Sequence, residues 1–271
     1  MIRATFAALS LAVVPGLAWS EPSLPDRLLD AMGVDGIVAI MRDEGLAYGD
    51  ELAAQMVPGG PDESWRAAVA RIYDTDRMTQ TVRVNFAEAI DGTDITPLID
   101  FFESPGGRQL ISLELSARAA MMDEAVEEAA KDAFHAAEEN PDDRFRQITE
   151  FVEVNDLVDS NVVGALNSNI VFYQGLVDGG ALDLGDEDIL RDVWEQEEET
   201  RSDTREWVYG FLLLAYKPVE DDVLQDYIDL SATKAGMALN RALFAGFDAM
   251  YSDISYALGR AIAREMQVQD L

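Results

Sequence analysis

The sequence predicts an all-α protein, a multi-helix bundle built from two sequence-related helical halves packed together. Three observations carry that reading. Apolar residues recur at steps of three and four over long stretches. Alternating runs bounded by hairpin turns are hard to find. The chain can also be laid over itself, at about half the length that follows residue 20, with like residues in register.

Residues 1–20, MIRATFAALSLAVVPGLAWS, carry Arg3 near the start, then an uncharged and mainly apolar run, then Ala18-Trp19-Ser20 before Glu21. This is the layout of a cleavable export signal. A membrane-spanning helix needs roughly 20 apolar residues, and this run is shorter and interrupted by Pro15 and Gly16. Cleavage after Ser20 is expected, leaving a soluble chain in the periplasm or outside the cell with no stable membrane span.

Breakers then divide the helices in order. PGGPDESW (58–65) closes the N-terminal segment and offers Asp62 as an N-cap. DGTDITP (91–97) interrupts again ahead of FFESPGGRQL (101–110). From there one long helix is expected. Its stripe is Leu110, Leu113, Ala117, Met121 and Ala125, flanked by Ile111, Leu115, Met122 and Val126. ENPDD (139–143) ends it and supplies Asp142 or Asp143 as the next cap. DGGALDLGDED (178–188) and YKPVEDD (216–222) mark later turns. A last stripe runs through Leu239, Leu243, Phe247, Met250, Ile254, Leu258 and Ile262.

Laying Asp100 over Asp226 places NFAEAIDGTDITPLIDFF (85–102) on FLLLAYKPVEDDVLQDYI (211–228) without a gap. Ala89 then meets Ala215, Leu98 meets Leu224 and Phe101 meets Tyr227. In the same register Ala39 meets Ala165 and Gly49 meets Gly175. After a short insertion, Gly107 meets Gly236, Leu110 meets Leu239 and Met121 meets Met250; a similar shift brings Trp65 onto Trp194. The expected division is a leader at 1–20, a first half at 21–140 and a divergent second half at 141–271.

The stretch 101–110 admits two readings. Bare amides at a helix N-terminus bind anions, whereas Ser104-Pro105 is a strong helix start and a glycine beyond it lets a neighbouring segment approach closely. No Lys-Ser or Lys-Thr pair follows the glycines, no strand precedes them, and Glu103 opposes an anion. The second half keeps only Gly236 of the glycine pair, with Ser231 or Thr233 as the cap. The structural reading, a helix-to-helix corner, is favoured. Phe101, Phe102, Ser104, Pro105, Gly107, Arg108 and Leu110, followed by a Met- and Ala-rich helix, resemble the signature of a bacterial family, the domain of unknown function 2059. That resemblance is specific over about residues 85–135. It implies an exported helical protein and brings no assigned activity and no catalytic residues.

Composition narrows the chemistry. A net charge of −32, from 52 acidic and 20 basic side chains, repels nucleic acid and anionic headgroups. A salty habitat would give the same balance, so the charge names no basic partner. With no cysteine, thiol catalysis and thiolate metal sites are ruled out. His135 is the only histidine and is expected to face solvent; no G-x-S-x-G element accompanies it. Acid runs at 123–132 and 195–206 read as solvated helix faces, with Arg201 and Arg205 for local pairing. Asp183, Asp186 and Asp188 have the oxygen density of a calcium site without its loop order, so calcium binding stays open. So does a paired-carboxylate glycosidase, which normally brings an aromatic-rich cleft, against 8% aromatics here. Trp65, Trp194 and Trp207 are expected in or beside the core, and Met121-Met122 in core packing. No cofactor or metal site is implied. The sequence therefore points to a binding or interaction protein of the cell envelope, using a groove between the halves for a peptide, an apolar ligand or a protein partner. A carboxylate- or divalent-metal-dependent hydrolase and a scaffold subunit are the alternatives.

Overall fold

A computed structural model describes residues 22–57 and 59–268; the expected leader at 1–20 lies outside them. Among the described residues every regular element is an α-helix. In chain order these are α1 Leu24–Ala31, α2 Val34–Met56, α3 Glu63–Ile72, α4 Thr75–Ile90, α5 Thr96–Phe102, α6 Pro105–Ala120 and α7 Glu124–Glu139. Then come α8 Asp143–Val154, α9 Leu157–Asp178, α10 Asp186–Trp194, α11 Glu197–Tyr216, α12 Asp221–Ser231 and α13 Lys234–Val268. None of them is long and apolar enough to cross a membrane.

Short polar side chains set many of the starts. Asp62 accepts from the Trp65 amide at 2.7 Å, Asp74 from Arg77 at 3.0 Å and Asp142 from Phe145 at 2.8 Å. Each such cap satisfies one orphan amide and stabilises its helix by about 1 kcal/mol. The chain also turns where the apolar pattern runs on: at Met32-Gly33, Tyr73-Asp74, Asn155-Asp156 and Glu195-Gln196. The expected single helix beyond Ser104 is two. Met121 closes α6, and the Asp123 side chain accepts from the Ala125 amide at 2.9 Å to start α7. Apolar periodicity passes through this point because it records which face is buried and does not mark where a helix stops; the cap decides the break. Beyond it the buried residues are Ala130 and Phe134, so Ala125 of the expected stripe is exposed. Met122, in the turn and out of helical register, is 47% exposed.

Packing interleaves the two ends of the chain. One core gathers Leu28, Leu29, Val38, Val82, Phe86, Leu98 and Phe102 from α1, α2, α4 and α5 around Leu239, Met250, Ile254, Leu258 and Ile262 of α13. A second gathers Ile148, Phe151, Tyr209, Leu212, Tyr216, Leu224 and Ile228 from α8, α11 and α12 around Leu110 and Ala117 of α6 and Phe134 of α7. The last helical segment before residue 140 thus fills the core of the helices after it, and α13 fills the core of the helices before it. A small third cluster seats Ile189 and Val193 of α10 on Val162 and Leu166 of α9. That face of α10 ends at Val193, so Trp194, one residue further round, is 62% exposed and outside the core where it was expected. Trp65 is 1% exposed, its indole donating to the Gly49 carbonyl at 2.9 Å. Helices α9 and α13 touch backbone to backbone. A Cβ at Gly175 would lie 2.6 Å from the Tyr256 carbonyl oxygen, and one at Gly259 would lie 2.2 Å from that of Phe172.

Candidate functional site

Between α2 and α9 the bundle opens into a cleft of about 690 Å³, with α13 as its floor. Its apolar lining comes from Ile37 and Met41 of α2, Leu157 of α9, Trp207 of α11, and Leu243, Phe244, Phe247, Ile254 and Leu258 of α13. Small residues on α9, Gly164, Ala165 and Ser168, keep it open on one side. The volume falls within the range of small-molecule sites, and such sites are mostly apolar with a few placed polar groups.

Two of the charged side chains in the lining pair with each other. Arg118 of α6 grips Glu44 of α2 through two parallel bonds of 3.0 and 2.8 Å. Its guanidinium stands 5.4 Å from the centre of the Trp207 ring, which in turn stacks on Phe211 at 5.3 Å. Burial disfavours the Arg118 charge, but the bonds to Glu44 outweigh it and hold its pKa above the usual value. Burial also raises the pKa values of Tyr73, Tyr251 and Asp248, all on the cleft wall.

A smaller chamber of about 190 Å³ adjoins the cleft, and Leu157, Asn240 and Leu243 line both. Phe151, Phe211, Tyr216 and Tyr227 surround it, and Glu114 of α6 projects into this aromatic setting. The Tyr216 hydroxyl donates to Glu114 Oε1 at 2.7 Å. Burial pushes the Glu114 carboxyl up to about 7, against the opposing pull of that hydrogen bond. No lysine, arginine or histidine among the described residues pairs with it; Arg118, one turn along, is engaged by Glu44.

The residues singled out in the sequence form the α5–α6 corner. Ser104 Oγ accepts from the Gly107 amide at 3.0 Å, Pro105 opens α6, and Phe102 and Leu110 are fully buried. A Cβ at Gly107 would lie 2.2 Å from the Phe101 carbonyl oxygen, so only glycine permits the approach. Arg108 donates to the Glu103 carbonyl, and Glu103 pairs with Arg27. The corner is not itself part of the cleft. It backs onto the chamber, since Phe101 and Phe102 pack on the Tyr227 ring at 5.4 and 5.6 Å. The α12–α13 corner has the same geometry: Thr233 Oγ1 accepts from the Gly236 amide at 3.0 Å, and a Cβ at Gly236 would lie 2.1 Å from the Leu230 carbonyl oxygen. Leu230, Ser231 and Gly236 line the chamber directly.

Other sequence candidates fall elsewhere. The His135 side chain is 52% exposed, with Nε2 3.7 Å from Glu206. Asp183 and Asp186 are exposed, Asp188 pairs with Arg191 at 2.6 Å, and no group of three or more acids and histidines converges among the described residues. Arg201 and Arg205 pair with Glu197 and Glu138. Sequence reasoning passed over Glu114, Arg118, Glu44 and the tyrosines. One signal was present: Leu110, Glu114 and Arg118 follow one another at steps of four, which puts two charges in line with a fully buried leucine.

Fold and cleft together define an all-helical protein with a largely apolar cleft that adjoins a smaller, aromatic-lined chamber holding one carboxylate. Residues 76–135, from the start of α4 into the second half of α7, match the family described as "Uncharacterized protein conserved in bacteria (DUF2059)". That segment carries the Ser104 corner together with Glu114 and Arg118. No curated protein and no solved structure matches the chain.

Proposed function

We propose that this is an exported protein of the bacterial cell envelope that binds a small, elongated apolar ligand in the cleft between α2 and α9. The observation that carries the reading is the cleft: about 690 Å³, lined by leucine, isoleucine, methionine and aromatic side chains and kept open by small residues on α9. Burying a chain of methylenes there gains about 0.8 kcal/mol for each, so about ten of them supply the roughly 8 kcal/mol of micromolar binding before the entropic cost of association is met. Export rests on the layout of residues 1–20. The test is titration with N-phenylnaphthylamine, a neutral probe that fluoresces in apolar surroundings. The wild-type chain is expected to bind it, and Ala165→Phe with Ser168→Phe, which fill the cleft, to weaken binding about tenfold. A correctly folded wild-type chain that leaves the probe dark overturns the reading.

The two walls of the cleft are, in this reading, counterparts in a duplicated design with halves at 21–140 and 141–271. Support comes from helix order and length: α2 and α9 have 23 and 22 residues, α3 and α10 have 10 and 9. The hydroxyl-capped, glycine-pinched corners at Gly107 and Gly236 add to it. Trp65 and Trp194, one buried and one exposed, mark where the two sets have diverged.

A further inference from the structure

We infer that the smaller chamber receives the ammonium head of a single-chain amphiphile, with Glu114 facing the positive charge, aromatic rings around it, and the chain running past Leu243 into the larger cleft. This rests on the cleft being a binding site for an apolar chain, and adds what stands at the end of that chain.

Four observations lead there. Glu114 is an acid among aromatic rings with no basic partner of its own, so the chamber presents uncompensated negative character. Its Oε1 accepts from Tyr216, and no hydrogen bond among the described residues engages Oε2. The rings of Phe151 and Tyr227 lie with centroids 4.8 Å apart, and those of Phe151 and Tyr216 5.7 Å apart. These three packed rings all line the chamber, and aromatic rings attract a cation that has shed its water, quaternary ammonium groups most of all. Finally, Leu157, Asn240 and Leu243 line both cavities, so one ligand can occupy the two. A carboxylate head would meet Glu114 as a like charge, and a neutral head would leave it unanswered.

Protonation fits the same picture. The groups that face Glu114 from the packed helices are Tyr216 of α11, Tyr227 of α12, and the neutral Asn155 and Asn240. With its carboxyl raised to about 7 by burial, an arriving ammonium displaces a proton from part of the population, and affinity grows as pH rises from about 6 to 8.

The experiment is displacement of N-phenylnaphthylamine from the full chain by dodecyltrimethylammonium, dodecanol and dodecanoate, at several pH values and moderate salt. The ammonium ligand is expected to displace the probe at about tenfold lower concentration than the alcohol. Glu114→Gln should abolish both that preference and its pH dependence. Tyr227→Leu, which keeps the carboxylate, should reduce the preference and provides the check if Glu114→Gln does not fold. Equal displacement by all three ligands overturns the head-group inference and leaves the cleft reading standing. A preference that persists undiminished in Glu114→Gln also overturns it, because the acidic surface would then be its source. A chain that binds neither probe nor ligand defeats the cleft reading itself.

Discussion

A carboxylate at position 114 destabilises the folded chain to the extent that it must ionise away from water. Its pKa is pushed up to about 7 by burial, whereas in an unfolded chain it sits near the ordinary value of about 4.3. Between those values the folded state holds more protons than the unfolded state. Stability therefore falls as pH rises through that window and is lowest above it. The effect is about 4 kcal/mol at most. Glu114→Gln keeps an acceptor for Tyr216 and removes the charge, so it should melt higher than wild type at pH 8 and close to wild type at pH 5. Thermal unfolding at both values checks this, and a variant that melts lower at pH 8 would contradict it. The acid was visible in the sequence as a charge in line with Leu110. Its unpaired state was not, because the obvious partner one turn along, Arg118, is taken by Glu44 from a helix more than seventy residues earlier.

Among elements, the two glycines after Pro105 separate local from tertiary demands. Gly106 faces the Val223 side chain, with the nearest atom 3.2 Å from a built Cβ, while Gly107 faces the backbone at Phe101 and Phe102. Side-chain atoms can give way and backbone atoms cannot. Gly106→Ala should thus be nearly neutral, its gain in helix propensity of about 1 kcal/mol offsetting the contact. Gly107→Ala should cost about 3 kcal/mol or more by opening the corner. Urea unfolding of the two variants decides, and equal stability would refute the contrast. Periodicity made the helices legible because it records which face is buried: Leu239, Met250, Ile254, Leu258 and Ile262 of the last stripe are all buried in α13. It missed the turn at Met121–Asp123 and the two-residue joints at Met32-Gly33, Tyr73-Asp74, Asn155-Asp156 and Glu195-Gln196, where the chain is redirected while its apolar pattern continues. A groove between the halves was expected, but its lining was not legible, since those residues look like core residues until the space between α2 and α9 is known.

For the whole molecule, neither stretch of chain closes its own core. The helices before residue 103 are completed by α13, and α8, α11 and α12 by α6 and α7. Residues 22–140 or 141–268 produced alone should therefore lack a cooperative melting transition and bind a dye for exposed apolar surface. A sharp melt from either fragment would show that the cores are separable. This dependence is long-range, and contacts between distant parts of a sequence slow folding.

The interleaving also sets a timetable. A polypeptide is made from its amino end, so Leu28, Leu29 and Phe86 emerge long before Ile254 and Ile262 exist to cover them. For most of synthesis the early helices have no lid, and they stay open to helpers or to mishap until the final segment arrives. Such a chain is expected to stay threadable through a narrow channel until its last helix is made, because the described helices before residue 103 share their core with that helix.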